Sequence, residues 1–376
     1  MSFDPNRDCL RSLLAAPAKT AEPLGAAPLV LYGAGGKGRA TLRLLREAGH
    51  RVAALVDRQA TGTVDGLPIL ALDDPAVAAH ACEGCAAIVT IFNPGADPLP
   101  VHHALEEIGF SRVVGIVELR QLVSIPDTFW LSTADTMTPG ADDAGWLWEK
   151  LADETSRKTL LEAIALRRTF APGSLRTPTT HDQYFPAGVP LPRAGVRLID
   201  GGAYDGDTIG QLLPAGFRLE AIAAFEPDPA NFAALTRRMA ALAPCTELSL
   251  WPCGLDETPR QLSFQADGLA SSGITAGGGM TIQTVTIDVS LPYFRPSYVK
   301  LDIEGAEQAA LQGMAATLRS ARPALAVCVY HRPADLWEIP RRVDALLPDS
   351  RFYLRSHAWN RFDLVLYAVP HEMTGP

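Results

Sequence analysis

The sequence predicts an α/β protein made of two doubly wound domains. Three observations carry this. Two strand–glycine turn–helix–strand units occur, one opening each domain; apolar and helical runs alternate after residue 196; and the last two apolar runs are separated by only a short polar turn. A chain of 376 residues is long enough for two domains of ordinary size. Residues 1–27 read as an N-terminal arm and 28–123 as the first domain. Residues 124–182 read as a linker helix with a cover segment, and 183–376 as the second domain.

Composition bounds the function classes. Hydrophobic residues make up 47% and charged residues 20%, as in an ordinary globular protein. The formal net charge of −9 leaves no basic stripe to neutralise phosphates, which argues against a nucleic-acid partner. No apolar stretch approaches the roughly 18–20 residues of a membrane span. The first ten residues are too polar for a signal peptide, so a cytoplasmic location is expected. The six cysteines form no disulfide framework, and Cys82-Glu-Gly-Cys85 is a lone CxxC without a second ligand pair, which reads as a loop.

In the first domain, Leu29 to Tyr32 reads as a buried strand. It is followed by the glycines Gly33, Gly35 and Gly38 in GxGxxG spacing and a helix over 39–48. A strand over 52–56 then ends in Asp57, twenty-four residues after the first glycine. Further strands are expected at 86–92 and 113–116, with a helix at 101–107. This is the layout of a Rossmann-like module, with Gly33, Gly35, Gly38 and Asp57 as a second nucleotide site. Asp57 either holds a ribose or simply ends its strand. A complete dehydrogenase needs a second half-sheet and a substrate domain, and this unit has neither.

One helix is expected over 146–169, then turn-rich sequence. In the second domain, strands fall near 196–200, 220–226, 247–251, 297–303, 323–330, 351–356 and 362–368. Seven strands ending in an antiparallel hairpin describe a class I methyltransferase sheet. The first strand runs into Asp200, Gly201, Gly202, Tyr204, Gly206, Asp207 and Thr208. Gly201 and Gly202 let a ligand approach the peptide groups, and the helix that follows offers free N–H groups. Asp207 and Thr208 sit where a cap is expected. Glu226 closes the second strand, in position to take ribose hydroxyls, and Pro227 follows it. The third glycine lacks dinucleotide spacing, which points to a nucleoside cofactor without a pyrophosphate. Asp228 reads as an N-cap before Pro229, and Asn231 as a solvated helix residue. Ser272 lies in a turn that either covers the cofactor or is an ordinary loop.

The strand through Lys300, Asp302 and Glu304 is anomalous. A central parallel strand is normally apolar throughout, yet these three ionisable groups alternate onto one face. They either form a catalytic set or pin the sheet by a lysine–carboxylate pair, with Glu304 favouring the helix after Gly305. His331 ends the neighbouring strand and suits general-base work. His357 reads as a turn residue. Asp302, Glu304 and His331 also form an oxygen and nitrogen set that suits a divalent cation such as magnesium or manganese, although the spacing does not require a metal.

Taken together, the segments Gln183-Tyr-Phe-Pro, Ile199 to Thr208, Phe225 to Pro229, Ala270-Ser-Ser, Val299 to Glu307 and Tyr330 to Asp335 resemble those of FkbM-family methyltransferases. The resemblance covers about residues 183–370. It implies an S-adenosylmethionine-dependent O-methyltransferase acting on a hydroxyl of a sugar, glycoconjugate or secondary metabolite. It implies that Gly201, Gly202 and Gly206 bed the methionine end of the cofactor, that Glu226 takes the ribose, and that Asp302 and Glu304 border the transfer site; Asp200, Tyr204, Thr208, Pro227, Tyr184 and Ser272 are further expected at the cofactor, and Lys300 at the transfer site. His331 is then the expected base, with Asp302 orienting it or the substrate. A saccharide or other small-molecule acceptor and a homodimer are the expected partners. The rival readings are a nucleotide-sugar-binding protein, a catalytically silent S-adenosylmethionine-binding scaffold, and an NAD(P)-linked oxidoreductase centred on Gly33 to Asp57.

Overall fold

A computed structural model of the chain describes residues 5–91, 95–123, 139–171, 182–265, 273–274, 279–359 and 363–373. The chain divides into two compact units: residues 1–142, 158–179 and 356–363 in the first, residues 143–157, 180–355 and 364–376 in the second. No described helix is long and apolar enough to cross a membrane.

The first unit contains β1 (Leu29–Tyr32), β2 (Val52–Val56), β3 (Gly62–Val64), β4 (Leu67–Leu70), β5 (Ala86–Val89) and β6 (Val113–Gly115), in the order β3-β4-β2-β1-β5-β6. All pairs are parallel except β3 with β4. Every residue of β1 and β5 is buried, as strands covered on both faces require. The β3–β4 hairpin lies outside the sequence expectation because its strands are too short to show a period. Its turn carried a signal nonetheless: Asp65 (φ 49°) and Gly66 (φ 80°) are the Asp-Gly pair that tight hairpins favour.

The helix after β1 runs from Gly36 to Glu47, so it starts inside the glycine turn rather than at residue 39. The three glycines of that turn differ physically. A Cβ on Gly38 would lie 1.8 Å from the Gly33 carbonyl oxygen, and one on Gly33 (φ +110°) would lie 2.5 Å from Thr90 Oγ1. A Cβ on Gly35 would meet nothing within 4 Å.

The second unit is built on β7 (Val196–Gly201), β8 (Leu219–Phe225), β9 (Glu247–Trp251), β10 (Gly254–Leu255), β11 (Gln261–Gln265), β12 (Gly273–Ile274), β13 (Met280–Val285), β14 (Tyr298–Leu301), β15 (Ala324–Cys328), β16 (Ser350–Ser356) and β17 (Leu364–Pro370). Seven of these form one sheet in the order β16-β17-β15-β14-β7-β8-β9. From β15 to β9 the pairs are parallel, and β17 runs antiparallel to β15. This is the seven-stranded class I methyltransferase sheet with its antiparallel ending. The chain order reverses between β7 and β14, the switch point at which open α/β sheets bind ligands. The short strands β10 to β13 form a separate four-stranded sheet that the sequence did not reveal.

The expected single helix over 146–169 is two helices, Ala141–Lys150 and Glu154–Thr169. Between them Ala152 N donates to Phe352 O, drawing the chain against β16. Asp153 then accepts from Ser156 N and starts the second helix.

Alanine at Gly38 should cost at least about 3 kcal/mol, because the contact is with backbone that has nowhere to move. Alanine at Gly35 should stay within about 0.5 kcal/mol. Urea unfolding of both variants checks the contrast.

Candidate active site

The site lies where β7, β8, β14 and β15 end. The turn after β7 is left-handed at Gly202 (φ 73°), Tyr204 (φ 49°) and Gly206 (φ 86°). Its glycines answer to the chain's own packing. A Cβ on Gly202 would lie 1.8 Å from Asp302 O, one on Gly201 2.8 Å from Leu301 Cδ2, and one on Gly206 2.8 Å from Met239 Cε. A Cβ at either glycine would thus meet the end of the neighbouring strand or the residues just past it. The amides are occupied as well, since Gly202 N and Ala203 N both donate to Phe225 O. Gly206 is the N-cap, with no side-chain cap bond, so Asp207 and the buried Thr208 are the first residues inside the helix rather than its cap.

Glu226 stands just beyond β8 and is 6% exposed. Its Oε2 accepts from Tyr204 N at 2.9 Å and its Oε1 from Asp228 N at 2.8 Å, so the carboxylate ties the glycine turn to the start of the next helix. Burial nevertheless outweighs these two bonds and pushes its pKa from 4.5 up to about 7. Pro227 follows it. Asp228 caps the helix Pro229–Leu242, accepting from Ala230 N and Asn231 N. Asn231 is buried, not solvated as its helical position suggested.

Lys300 occupies the interior of the sheet. Its Nζ lies 3.2 Å from Asp200 Oδ1 and 3.3 Å from Gly201 O, and it also donates to Gly202 O. The two carbonyls take two of the ammonium donors, and Asp200 faces the group as an ion pair. Asp200 and Lys300 are 0% and 2% exposed. Burial works against charge on both, but Asp200 keeps Lys300 a cation with its pKa raised. Lys300 Nζ also stands 5.1 Å from the ring centroid of Tyr184. Tyr184, placed with the cofactor residues by the sequence, is buried here. Its hydroxyl donates to Asp302 Oδ2 at 2.7 Å and its carbonyl accepts from Tyr298 OH.

β14 ends at Leu301, so Asp302 leaves the strand and Glu304 sits in a turn with φ 54°, rather than continuing the alternation. His331 is 1% exposed. Its Nε2 lies 3.3 Å from Asp302 Oδ1 and 3.7 Å from Glu304 Oε2. Its Nδ1 lies 2.8 Å from Glu307 Oε1, and the same oxygen accepts from Ile303 N. Glu307, not Asp302, orients the imidazole; the sequence signal was a third carboxylate five residues after Asp302. Burial works against an imidazolium, yet Glu307, Asp302 and Glu304 together raise its pKa from 6.5 to about 10. Burial also works against charge on Asp302, while Lys300, His331 and the Tyr184 hydroxyl hold it below the usual carboxylate range.

Trp251, which the sequence did not single out, ends β9 beside Glu226, whose N–H donates to Trp251 O. Its indole stacks on Phe225 (centroids 5.6 Å apart, 17°), and its Nε1 is buried with no hydrogen-bond partner among the described residues. Ser272 lies outside the described residues. Gly33, Gly35, Gly38 and Asp57 belong to the first unit, where Asp57 Oδ2 accepts from Ala34 N at 2.8 Å and Oδ1 from Gln59 N and Ala60 N. Burial of Asp57 is outweighed by these three bonds, and its pKa is lowered.

Replacing Lys300 by methionine should destabilise the protein by about 3–5 kcal/mol, because Asp200 is left buried without its cation. Adding Asp200→Asn should recover part of the loss. Urea unfolding of the single and double variants measures both.

Comparison with known proteins bears on this arrangement. Residues 200–356 match the family model of the methyltransferase FkbM domain. Hexuronic acid methyltransferase AglP of Haloferax volcanii is 31% identical over 144 residues, which is 37% of this chain and 57% of that protein. The chain thus spans less than two thirds of that relative's length. The crystal structure of methyltransferase FkbM from Methylobacillus flagellatus KT superposes with a TM-score of 0.74 at 23% identity, covering 97% of this chain and 94% of that one, and so shares its fold. Over residues 200–356 the chain is thus similar to methyltransferase FkbM domains.

Proposed function

We propose that this domain transfers a methyl group from S-adenosylmethionine to a hydroxyl of a sugar or related acceptor. One observation carries the cofactor assignment: Glu226, a buried carboxylate at the end of β8, is bound into the glycine turn yet held at a pKa of about 7. Each of its oxygens keeps a lone pair for a further donor, such as a ribose hydroxyl. The buried, unpartnered Trp251 Nε1 beside it offers a donor to a nucleobase edge. Both groups fit a nucleoside, and the amides of Gly202 and Ala203 are occupied by Phe225 O. The cofactor supplies a methyl group on a sulfonium leaving group.

The acceptor side of the reading rests on Asp302, Glu304 and His331. A hydroxyl there donates its hydrogen bond to the carboxylates, and its proton leaves through this cluster. His331 as an isolated base fits less well, since both ring nitrogens already face carboxylates. Lys300 holds the turn in place and does not meet the acceptor. A sugar acceptor follows from the kinship with a hexuronic acid methyltransferase. A silent binding scaffold would have no use for the acidic cluster.

A second reading concerns the first unit. The open space at Gly35, between the packed Gly33 and Gly38, favours a nucleotide or nucleotide-sugar lying against that turn. It does not revive an oxidoreductase, because no substrate domain accompanies it.

Calorimetry with S-adenosylhomocysteine tests the main reading. The wild type should bind, and Glu226→Gln should weaken binding by roughly 10- to 100-fold, the worth of charged hydrogen bonds of about 1.5–3 kcal/mol. Unchanged affinity in that variant removes Glu226 from the site.

The pH dependence has a definite sign. The ionised form of Glu226 accepts the hydroxyls, so affinity should fall as the pH drops below about 7, and the glutamine variant should lose this slope. Without ligand the slope reverses. A carboxyl raised from 4.5 to about 7 contributes stability below 4.5 that is lost as the pH rises through about 7. Melting curves between pH 4.5 and 8 follow it.

A further inference from the structure

We propose that Asp302, Glu304 and His331 bind a divalent cation of the magnesium or manganese class, deepening the reading of the same site given above. Asp302 Oδ1, Glu304 Oε2 and His331 Nε2 lie within 4.8 Å of one another. The nitrogen is 3.3 Å from the first oxygen and 3.7 Å from the second. Two ligands about 2.1 Å from a shared ion stand about 3.0 Å apart at a right angle and about 3.4 Å apart at a tetrahedral one. Both nitrogen–oxygen separations are therefore close to those of ligands around one ion.

Three further features point the same way. Two carboxylates converge on one nitrogen, and a single N–H proton cannot serve both. Asp302 Oδ1 is buried and faces the His331 nitrogen at 3.3 Å, while Oδ2 of the same group accepts from Tyr184. Finally, His331 Nδ1 is 2.8 Å from Glu307 Oε1. A carboxylate on one ring nitrogen holds the ring with its other nitrogen turned towards Asp302 and Glu304, the arrangement that supports metal-bound histidines. Glu304 reaches the cluster only from a left-handed turn, which a glutamate adopts at a cost.

The donor set selects the ion. Two carboxylates and one imidazole suit hard or borderline cations, and the remaining coordination positions would be filled by water or an acceptor hydroxyl. Lys300 does not take the place of the cation, because its ammonium is turned to the Gly201 and Gly202 carbonyls and to Asp200.

The test is a titration of the full chain with Mn²⁺, read by electron paramagnetic resonance of the free ion and by the melting temperature. One ion per chain is expected, with a rise in melting temperature. Asp302→Asn and Glu304→Gln should each weaken binding at least about tenfold, while Glu226→Gln should leave it unchanged. Glu304→Gln keeps the test open if Asp302→Asn does not fold, because Glu304 lies in a turn outside the sheet. No bound ion at millimolar Mn²⁺, or unchanged affinity in the folded variants, overturns the proposal. The cofactor reading fails separately. Mn²⁺ binding without S-adenosylhomocysteine binding keeps the metal and removes the cofactor, and the opposite result removes only the metal.

Discussion

A buried ion pair holds together the edge of the second unit's sheet at which β7 and β14 end. Lys300 and Asp200 face each other from adjacent strands, β14 and β7, on the two sides of the point where the sheet reverses direction. Taken out of water, neither charge is tolerable alone. Paired, they leave Lys300 two donors for the carbonyls of Gly201 and Gly202, and so the pair fixes the course of the turn after β7. Asp302 lies two residues along the same strand end. Tyr184 connects the two layers, its ring beside Lys300 and its hydroxyl on Asp302. The glycine turn and the acidic cluster are therefore parts of one electrostatic assembly.

The same device occurs twice in the chain, with opposite electrostatic balance. In each unit an acid at the end of the second strand accepts backbone N–H groups from the glycine turn: Asp57 from Ala34, Glu226 from Tyr204. Asp57 is satisfied by this, and its charge is favoured. Glu226 is not, and its burial leaves it with a demand for further donors. An acid after a glycine turn thus says that the turn is tied down. Whether it also binds a ligand depends on how deeply it is buried, which spacing along the chain does not record.

The major strands were legible because parallel strands covered on both sides are continuously apolar, and each long apolar run corresponds to one. The β3–β4 hairpin and the β10–β13 sheet were not, since strands of two to six residues with exposed faces carry little periodic signal. The split of the 146–169 region depends on Ala152 meeting Phe352, a contact between distant parts of the sequence. At the site, the anomaly of charge at Lys300, Asp302 and Glu304 was visible. Its division of labour was not. Lys300 turned inward to the glycine turn, and Glu307, one helical step away, took the orienting role assigned to Asp302. Asn231 was read as solvated because its burial comes from tertiary packing rather than from the pattern of its own helix.

The contact between Gly202 and the carbonyl of Asp302 has a further meaning. It is an approach of main chain to main chain, with no side chain between them to enlarge, shrink or exchange. The separation between the two halves of the site is thereby set like a fixed gauge, insensitive to substitution except by breaking it. Substitutions nearby can then reshape the walls around this gauge, and cannot lengthen or shorten the distance between the glycine turn and the acidic cluster.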